Sequence, residues 1–130
     1  MRVVALSSIK GGVGKTTAAV NFAHLAAARG ERVLLWDLDP QGAATYTLGV
    51  GTRVAGGARR LAGKSKRLSR SVVTTAHDDL DMVPADFSLR YLDLELSRLE
   101  RPHRRIARML RHVSDRYDYV FLDCPPGITL

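Results

Sequence analysis

The first 37 residues of the chain contain two short apolar runs joined by a glycine-rich loop and a stretch of helix-forming residues. The runs 2–7 and 32–37 are aliphatic, rich in β-branched residues and without polar alternation, which is typical of strands buried on both faces of a parallel sheet. Between them, residues 16–29 favour a helix that is capped at Gly30. Strand, helix and strand within this length predict a right-handed βαβ unit, so we expect an α/β fold.

The loop between the first strand and the helix reads Lys-Gly-Gly-Val-Gly-Lys-Thr-Thr. Glycines let consecutive backbone N–H groups turn toward phosphate oxygens, and the helix N-terminus adds its positive dipole. In such a loop Lys15 is expected to hold the β- and γ-phosphates of a nucleotide and Thr16 to ligate Mg²⁺ through its hydroxyl. A glycine-rich turn without a ligand is the alternative, which the flanking strand and helix disfavour. The predicted nucleotide-binding residues are Lys10, Gly11, Gly12, Val13, Gly14, Lys15, Thr16 and Thr17.

One position departs from the general phosphate-loop pattern, which requires glycine where this chain has Ile9. A second lysine, Lys10, opens the loop instead. This form resembles the deviant Walker A motif of the ParA/MinD group of P-loop ATPases. The resemblance implies ATP and Mg²⁺ as cofactors, with Lys10 and Lys15 both catalytic and Lys10 reaching across an ATP-sandwich homodimer to the partner's nucleotide. An exposed lysine without that role is the alternative.

Two carboxylates, Asp37 and Asp39, leave the second apolar run in the segment Asp-Leu-Asp-Pro-Gln-Gly. Ligands gather outside the carboxyl ends of parallel strands, so both are expected beside the phosphate loop. A carboxylate there can orient an attacking water while lysine and Mg²⁺ compensate the charge of the phosphoryl group. The segment resembles the Asp-x-Asp-Pro-Gln-Gly motif of the ParA/Soj branch. This implies that Asp39 is the catalytic, water-positioning residue and Asp37 its neighbour at the metal site; carboxylates that cap a loop or helix are the alternative.

A third carboxylate, Asp123, ends an apolar run near the other end of the chain. Residues 118–123 read Asp-Tyr-Val-Phe-Leu-Asp and are followed by Cys-Pro-Pro-Gly. The segment resembles the Walker B motif of the same family. This implies that Asp123 contacts Mg²⁺ through a water and that its strand lies beside the phosphate-loop strand. The predicted metal residues are therefore Thr16, Asp37 and Asp123.

The middle of the chain carries weaker signals. Residues 49–71 combine glycines with basic residues, and we interpret them as a basic loop. Because Val54, Leu61 and Leu68 recur every seven residues, an amphipathic helix is the alternative. Residues 80–84 predict a short strand and residues 88–99 a helix. Pro102 suits the first turn of a further helix, whose core-facing residues would be Ile106, Met109, Leu110 and Val113.

These elements add up to about four strands of a P-loop NTPase-type parallel sheet flanked by helices. Members of the resembled family are roughly twice as long, so we interpret residues 1–130 as the N-terminal part of a single ATPase domain, with an incomplete sheet. The family places a further strand beside the phosphate-loop strand, which is therefore expected to be an exposed edge. An unpaired apolar edge favours aggregation or pairing with another chain.

The net charge of +7 comes from one segment. Residues 40–77 hold seven basic residues and no acidic residue, so the rest of the chain is neutral overall. A local positive patch indicates an anionic partner, and the resemblance implies sequence-independent DNA binding that weakens with salt. A solvated basic surface is the alternative. The basic residues are Arg53, Arg59, Arg60, Lys64, Lys66, Arg67 and Arg70.

Taken together, the motifs predict a ParA/Soj-like ATPase switch for chromosome or plasmid partitioning, hydrolysing ATP slowly and stimulated by a ParB-like partner. Two alternatives stay open: a nucleotide- or DNA-binding fragment without turnover, and a MinD-like membrane-positioning ATPase. No apolar run approaches the roughly 18 residues of a membrane span. A cytoplasmic location is therefore expected, with nucleoid association through DNA and no membrane partner.

Overall fold

The computed structural model describes residues 1–51, 68–91 and 104–127. The strands are β1 (Arg2–Leu6), β2 (Val33–Asp37), β3 (Val73–Thr74), β4 (Leu80–Val83) and β5 (Tyr119–Asp123). The α-helices are α1 (Lys15–Ala28), α2 (Ala43–Thr47) and α3 (Arg105–Leu110), and 3-10 helices span Leu68–Ser71, Phe87–Tyr91 and Arg111–Val113.

The strands form one sheet in the order β1-β5-β2-β4-β3. Pairing is parallel between β1 and β5, β5 and β2, and β2 and β4, and antiparallel between β4 and β3. The α/β class, the four parallel strands and the position of β5 beside β1 are confirmed. The expected total of about four strands misses β3, because two residues show no periodicity that a sequence pattern can detect.

Helix α1 packs on the sheet through alanines. Ala19, Ala23 and Ala27, spaced four residues apart, are at most 7% exposed, and their small side chains let the helix lie close to the strands. Gly30 follows the helix with φ 84° and donates its N–H to the carbonyl of Ala27 at 2.9 Å, which is a left-handed C-terminal cap. The predicted helix and its glycine cap are confirmed.

The sheet buries apolar residues on both faces of β2, which lies near its centre. Val33 and Leu35 pack on the α1 side, and Leu34 and Trp36 pack on the opposite side with α3. Strand β1 differs, since Val3 and Val4 are 46% and 38% exposed. The prediction that the first apolar run is buried on both faces is therefore wrong. The prediction that this strand is an exposed edge is confirmed, because β1 stands at the end of the strand order.

The middle of the chain departs from its prediction at several points. The basic loop and its alternative helix lie mostly outside the described residues, but at their end Leu68 begins a 3-10 helix and is buried. The short helix α2 was not predicted. Of the helix predicted over 88–99, the described part is the 3-10 helix Phe87–Tyr91, while Pro102 lies outside the described residues. The core-facing prediction for the next helix is confirmed: Met109, Leu110 and Val113 are buried, and Ile106 packs against them.

Among the described residues, no helix has the length and apolar character that a membrane span requires.

We predict that Leu34→Ala lowers the free energy of unfolding by about 2–5 kcal/mol, because a cavity in the core adds to the lost transfer free energy. Leu25→Ala is the matched control, since Leu25 is 56% exposed on α1 while Leu34 is fully buried. The control should change the free energy by less than about 0.5 kcal/mol. Urea unfolding followed by circular dichroism measures both, and equal losses would contradict this placement of the core.

Candidate nucleotide site

The predicted site residues meet at the carboxyl edge of the sheet. In the parallel register Asp123 of β5 lies between Leu6 of β1 and Asp37 of β2. Helix α1 begins at Lys15, directly after the glycine loop that follows β1. A cavity of about 650 Å³ opens at this edge. Its lining residues are Gly11, Gly12, Gly14, Lys15, Thr16, Thr17, Asp39, Pro40, Gln41, Pro125 and Pro126.

The glycine loop depends on backbone conformations that favour glycine. Gly12 and Gly14 have φ of 71° and 87°, in the left-handed region that side chains with a Cβ rarely adopt. The Gly14 carbonyl accepts the first helical hydrogen bond from the N–H of Ala18 at 2.9 Å. Gly14 therefore turns the chain from the loop directly into α1.

The Lys15 ammonium bends back over its own loop. It donates to the Ser8 hydroxyl and to the Lys10 carbonyl, each at 3.3 Å, and the Ser8 hydroxyl donates to that same carbonyl at 2.5 Å. These contacts hold the cation at the mouth of the loop. Lys10 itself is exposed and does not line the cavity, so its side chain is free to face a neighbouring molecule.

Asp37 is fully buried and hydrogen-bonded on both oxygens. Its Oδ2 accepts from the N–H and the hydroxyl of Thr45 at 2.9 and 2.8 Å, and its Oδ1 accepts from the N–H of Asp39 at 3.1 Å. Burial raises the pKa of Asp37 to about 6, and the Asp123 carboxylate adds to the shift, whereas the bonds from Thr45 and Asp39 oppose it. Most of the acceptor capacity of Asp37 is therefore used inside the protein.

Asp39 is half-buried on the wall of the cavity. Its Oδ1 accepts from the N–H of Gln41 at 2.9 Å, and its carbonyl accepts from the N–H of Gly42 at 2.9 Å. These bonds form a tight turn after β2. Asp39 lines the same cavity as the glycines and Lys15 of the phosphate loop.

Asp123 is buried, and the Thr16 hydroxyl lies near enough to lower its pKa without making a hydrogen bond of ordinary geometry to it. Both carboxylate oxygens are inaccessible to solvent and accept no hydrogen bond from the described part of the chain. Burial raises the pKa of Asp123; the neighbouring Thr16 hydroxyl opposes the shift, Asp39 adds to it and Lys15 opposes it. An unpaired buried carboxylate is costly, and a cation is the partner that would satisfy it.

The donor set at Asp123 fits Mg²⁺. Asp123 and Thr16 supply oxygen ligands, which this hard cation prefers, and Mg²⁺ commonly binds one or two carboxylates together with substrate phosphates. Within the described ranges, no cluster of three or more histidine, cysteine, aspartate or glutamate side chains could hold a metal. Such a site would therefore rely on the phosphates of a nucleotide for the remaining ligands.

Three contributors to the site have no role in the sequence prediction. Thr45 lies eight residues after Asp37, and no sequence motif marks it as a hydrogen-bond partner of that carboxylate. Ser8 precedes the glycine loop, and a hydroxyl at this position is the sequence signal for a contact with the loop lysine Lys15. Pro125 and Pro126 form part of the cavity wall. Both belong to the Walker B-like segment, which predicts that they lie near the site but does not predict this contact.

A parallel sheet, a glycine loop leading into a helix and carboxylates from two strand ends define a P-loop nucleotide-binding protein. The AAA domain family AAA_31 matches residues 1–130, and the chain belongs to this family. The resemblance to ParA/MinD-type P-loop ATPases predicted from the motifs is also confirmed by related proteins and solved structures.

Two curated relatives are similar over nearly the whole chain. The chain is 38% identical over 133 residues to the chromosome partitioning protein ParA of Caulobacter vibrioides, covering 100% of this chain and 50% of that protein. It is 36% identical over 130 residues to the sporulation initiation inhibitor protein Soj of Bacillus subtilis, covering 99% of this chain and 51% of Soj. The chain thus spans about half the length of the curated relatives it matches.

A solved structure supports the fold and the predicted cofactors. Cobyrinic acid a,c-diamide synthase from Mycobacterium smegmatis with bound ADP and magnesium matches with a TM-score of 0.89 and 32% identity, over 98% of this chain and 52% of that chain. The same enzyme with a bound ATP analogue and magnesium matches equally well. The ligands of that enzyme agree with the ATP and Mg²⁺ predicted from the sequence.

We predict that Gly14→Ala lowers the free energy of unfolding by about 1–2 kcal/mol, because a Cβ is disfavoured in the left-handed region. Gly11→Ala is the control, since its φ lies outside that region and neither added Cβ would meet a heavy atom within 4 Å. Thermal unfolding of the nucleotide-free chain measures both variants. Equal destabilisation would argue against the left-handed conformation at Gly14.

Proposed function

We propose that this chain binds Mg-ATP as part of a ParA/Soj-type partitioning ATPase. The observation that carries the proposal is the buried carboxylate of Asp123, which lies near Thr16 and Lys15 and accepts no hydrogen bond from the described residues. A cation would stabilise this buried carboxylate, and an anion would stabilise the positively charged phosphate loop. A magnesium–nucleotide complex supplies both, and the family relationship supports ATP as that nucleotide.

The loop residues Lys10–Thr17 would hold the phosphates. Lys15 leaves its contacts with Ser8 and the Lys10 carbonyl and binds the β- and γ-phosphates as a point charge, while Gly11, Gly12 and Gly14 allow the backbone to approach closely. Thr16 and Asp123 would hold Mg²⁺, with Asp37 behind them as a neighbouring charge. When bound, Mg²⁺ compensates the charge of the phosphate oxygens.

Asp39 would orient the attacking water. Its carboxylate lies on the cavity wall, and its main chain is fixed by bonds to Asp37 and Gly42. An oriented water and charge compensation are the two requirements of phosphoryl transfer. Hydrolysis by this arrangement is proposed to be slow until a ParB-like partner stimulates it.

Exposed Lys10 would act between protomers. It would reach the nucleotide of a second copy in an ATP-sandwich homodimer; its exposure and its absence from the lining of its own cavity support this role. DNA binding by the basic segment and the resulting nucleoid association in the cytoplasm also belong to this proposal. Most of those basic residues lie outside the described part of the chain; Arg70 is within it.

We predict that Lys15→Ala weakens binding of a fluorescent ATP analogue with Mg²⁺ by at least about tenfold, because a charged contact to phosphate is lost. Asp123→Asn should retain binding without Mg²⁺ but lose the strengthening that Mg²⁺ gives. Lys10→Ala is the matched lysine control and should bind as the wild type does at low protein concentration. Saturable binding that is unchanged in Lys15→Ala, or absent from the folded wild type, would contradict the proposed site.

We further predict that Asp39→Ala binds Mg-ATP but hydrolyses it at less than about one hundredth of the wild-type rate, since the water loses its acceptor. Sedimentation velocity with Mg-ATP should show dimers of Asp39→Ala and monomers of the double variant with Lys10→Ala. Turnover in Asp39→Ala, or dimers without Lys10, would contradict these roles. ATP binding without turnover in the wild type would favour a nucleotide-binding fragment that does not hydrolyse ATP. Binding to liposomes without binding to DNA would favour a MinD-like membrane-positioning ATPase.

A further inference from the structure

Thr45, which the family motifs leave without a role, is at the centre of a buried hydrogen-bond network. Its N–H and its hydroxyl both donate to Oδ2 of Asp37, at 2.9 and 2.8 Å. Its hydroxyl oxygen in turn accepts the N–H of Ala85 at 2.8 Å. Thr45 and Asp37 are fully buried, and Ala85 is 2% exposed. Water therefore cannot replace these bonds.

The network continues to the loop that carries Asp39. The second oxygen of Asp37, Oδ1, accepts the N–H of Asp39 at 3.1 Å. One carboxylate thus joins Thr45 on one side to the main chain of Asp39 on the other. Rotation of the Asp37 carboxylate would break contacts on both sides at once, so the position of Asp39 depends on the bonds that Thr45 makes.

Close packing at Gly42 supports the same geometry. Gly42 precedes α2 with φ 66°, and a Cβ at this position would lie 3.6 Å from the Cβ of Ala85 and 3.9 Å from that of Thr45. The turn after Asp39 therefore lies against the residues that follow β4. The Thr45 hydroxyl joins two chain segments, α2 and the end of β4, to the carboxylate at the end of β2.

We propose that Thr45 is a positioning residue for hydrolysis, which fixes the Asp37 carboxylate and through it the main chain of Asp39. This inference rests on the proposed role of Asp39 in orienting water. Thr45 does not line the cavity, so its hydroxyl should affect the placement of Asp39 and leave the phosphate loop's affinity for nucleotide unchanged. If Thr45 merely filled space in the core, removal of its hydroxyl alone would leave the placement of Asp39 unchanged.

The test compares Thr45→Val, which keeps the shape and removes the hydroxyl, with Thr45→Ser, which keeps the hydroxyl. Amide hydrogen exchange at Asp39, measured by NMR on the ¹⁵N-labelled chain, should be at least about tenfold faster in Thr45→Val than in the wild type and restored in Thr45→Ser, since a bond to a charged group loses its support. Binding of the ATP analogue should stay within about twofold in both variants, because the phosphate contacts are retained.

Turnover gives the second readout. In Thr45→Val, kcat should fall at least about tenfold with KM unchanged, and Thr45→Ser should recover it. If Thr45→Val does not fold, Thr45→Cys replaces it, because its weak S–H donor should give Asp39 exchange faster than that of Thr45→Ser. Unchanged Asp39 exchange without the hydroxyl, or equal loss of ATP binding and turnover, would overturn the inference. A wild type without turnover would instead count against the proposed function, while the exchange measurement would still decide the role of Thr45.

Discussion

The parallel pairing of β5 with both β1 and β2 is the constraint on which the site depends. It places Leu6, Asp123 and Asp37 in one row at the carboxyl edge of the sheet. The glycine loop leaves this edge after β1, and the Asp39 turn leaves it after β2. Residues separated by more than 100 positions therefore meet around one cavity, because the hydrogen-bond register of three short strands brings them to the same edge.

The two strand-end carboxylates have opposite environments although they are neighbours. Asp37 accepts bonds from Thr45 and Asp39, so both of its oxygens have donors within the protein. Asp123 accepts none from the described residues. Burial raises the pKa of each, and their mutual repulsion adds to the shift at Asp37. This contrast separates a carboxylate that is hydrogen-bonded to the neighbouring loop from one whose acceptor capacity is unused by the described residues.

The sequence predicts those parts of the molecule in which local pattern and chemistry coincide. The apolar runs, the glycine loop and the positions of Asp37, Asp39 and Asp123 could all be placed from spacing and motif. Strand β3 and helix α2 could not, because they are too short for periodicity and depend on tertiary contacts. The bonds of Thr45 are likewise set by what lies beside it in space, which no local pattern contains. The exposed edge at β1 follows from the family resemblance and not from a local pattern.

The two sides of the cavity differ in how firmly hydrogen bonds hold their residues in place. Thr45 and Asp37 are joined by buried hydrogen bonds, and Asp37 also accepts the N–H of the half-buried Asp39, so the Asp39 side of the cavity is ordered without a nucleotide. On the opposite side, Lys15 is held by two weak contacts of 3.3 Å, and Asp123 accepts no hydrogen bond from the described residues. Leaving a buried charged acceptor unsatisfied costs on the order of 1–3 kcal/mol or more. A ligand that satisfies Asp123 recovers that free energy, so binding and stability are coupled at this residue.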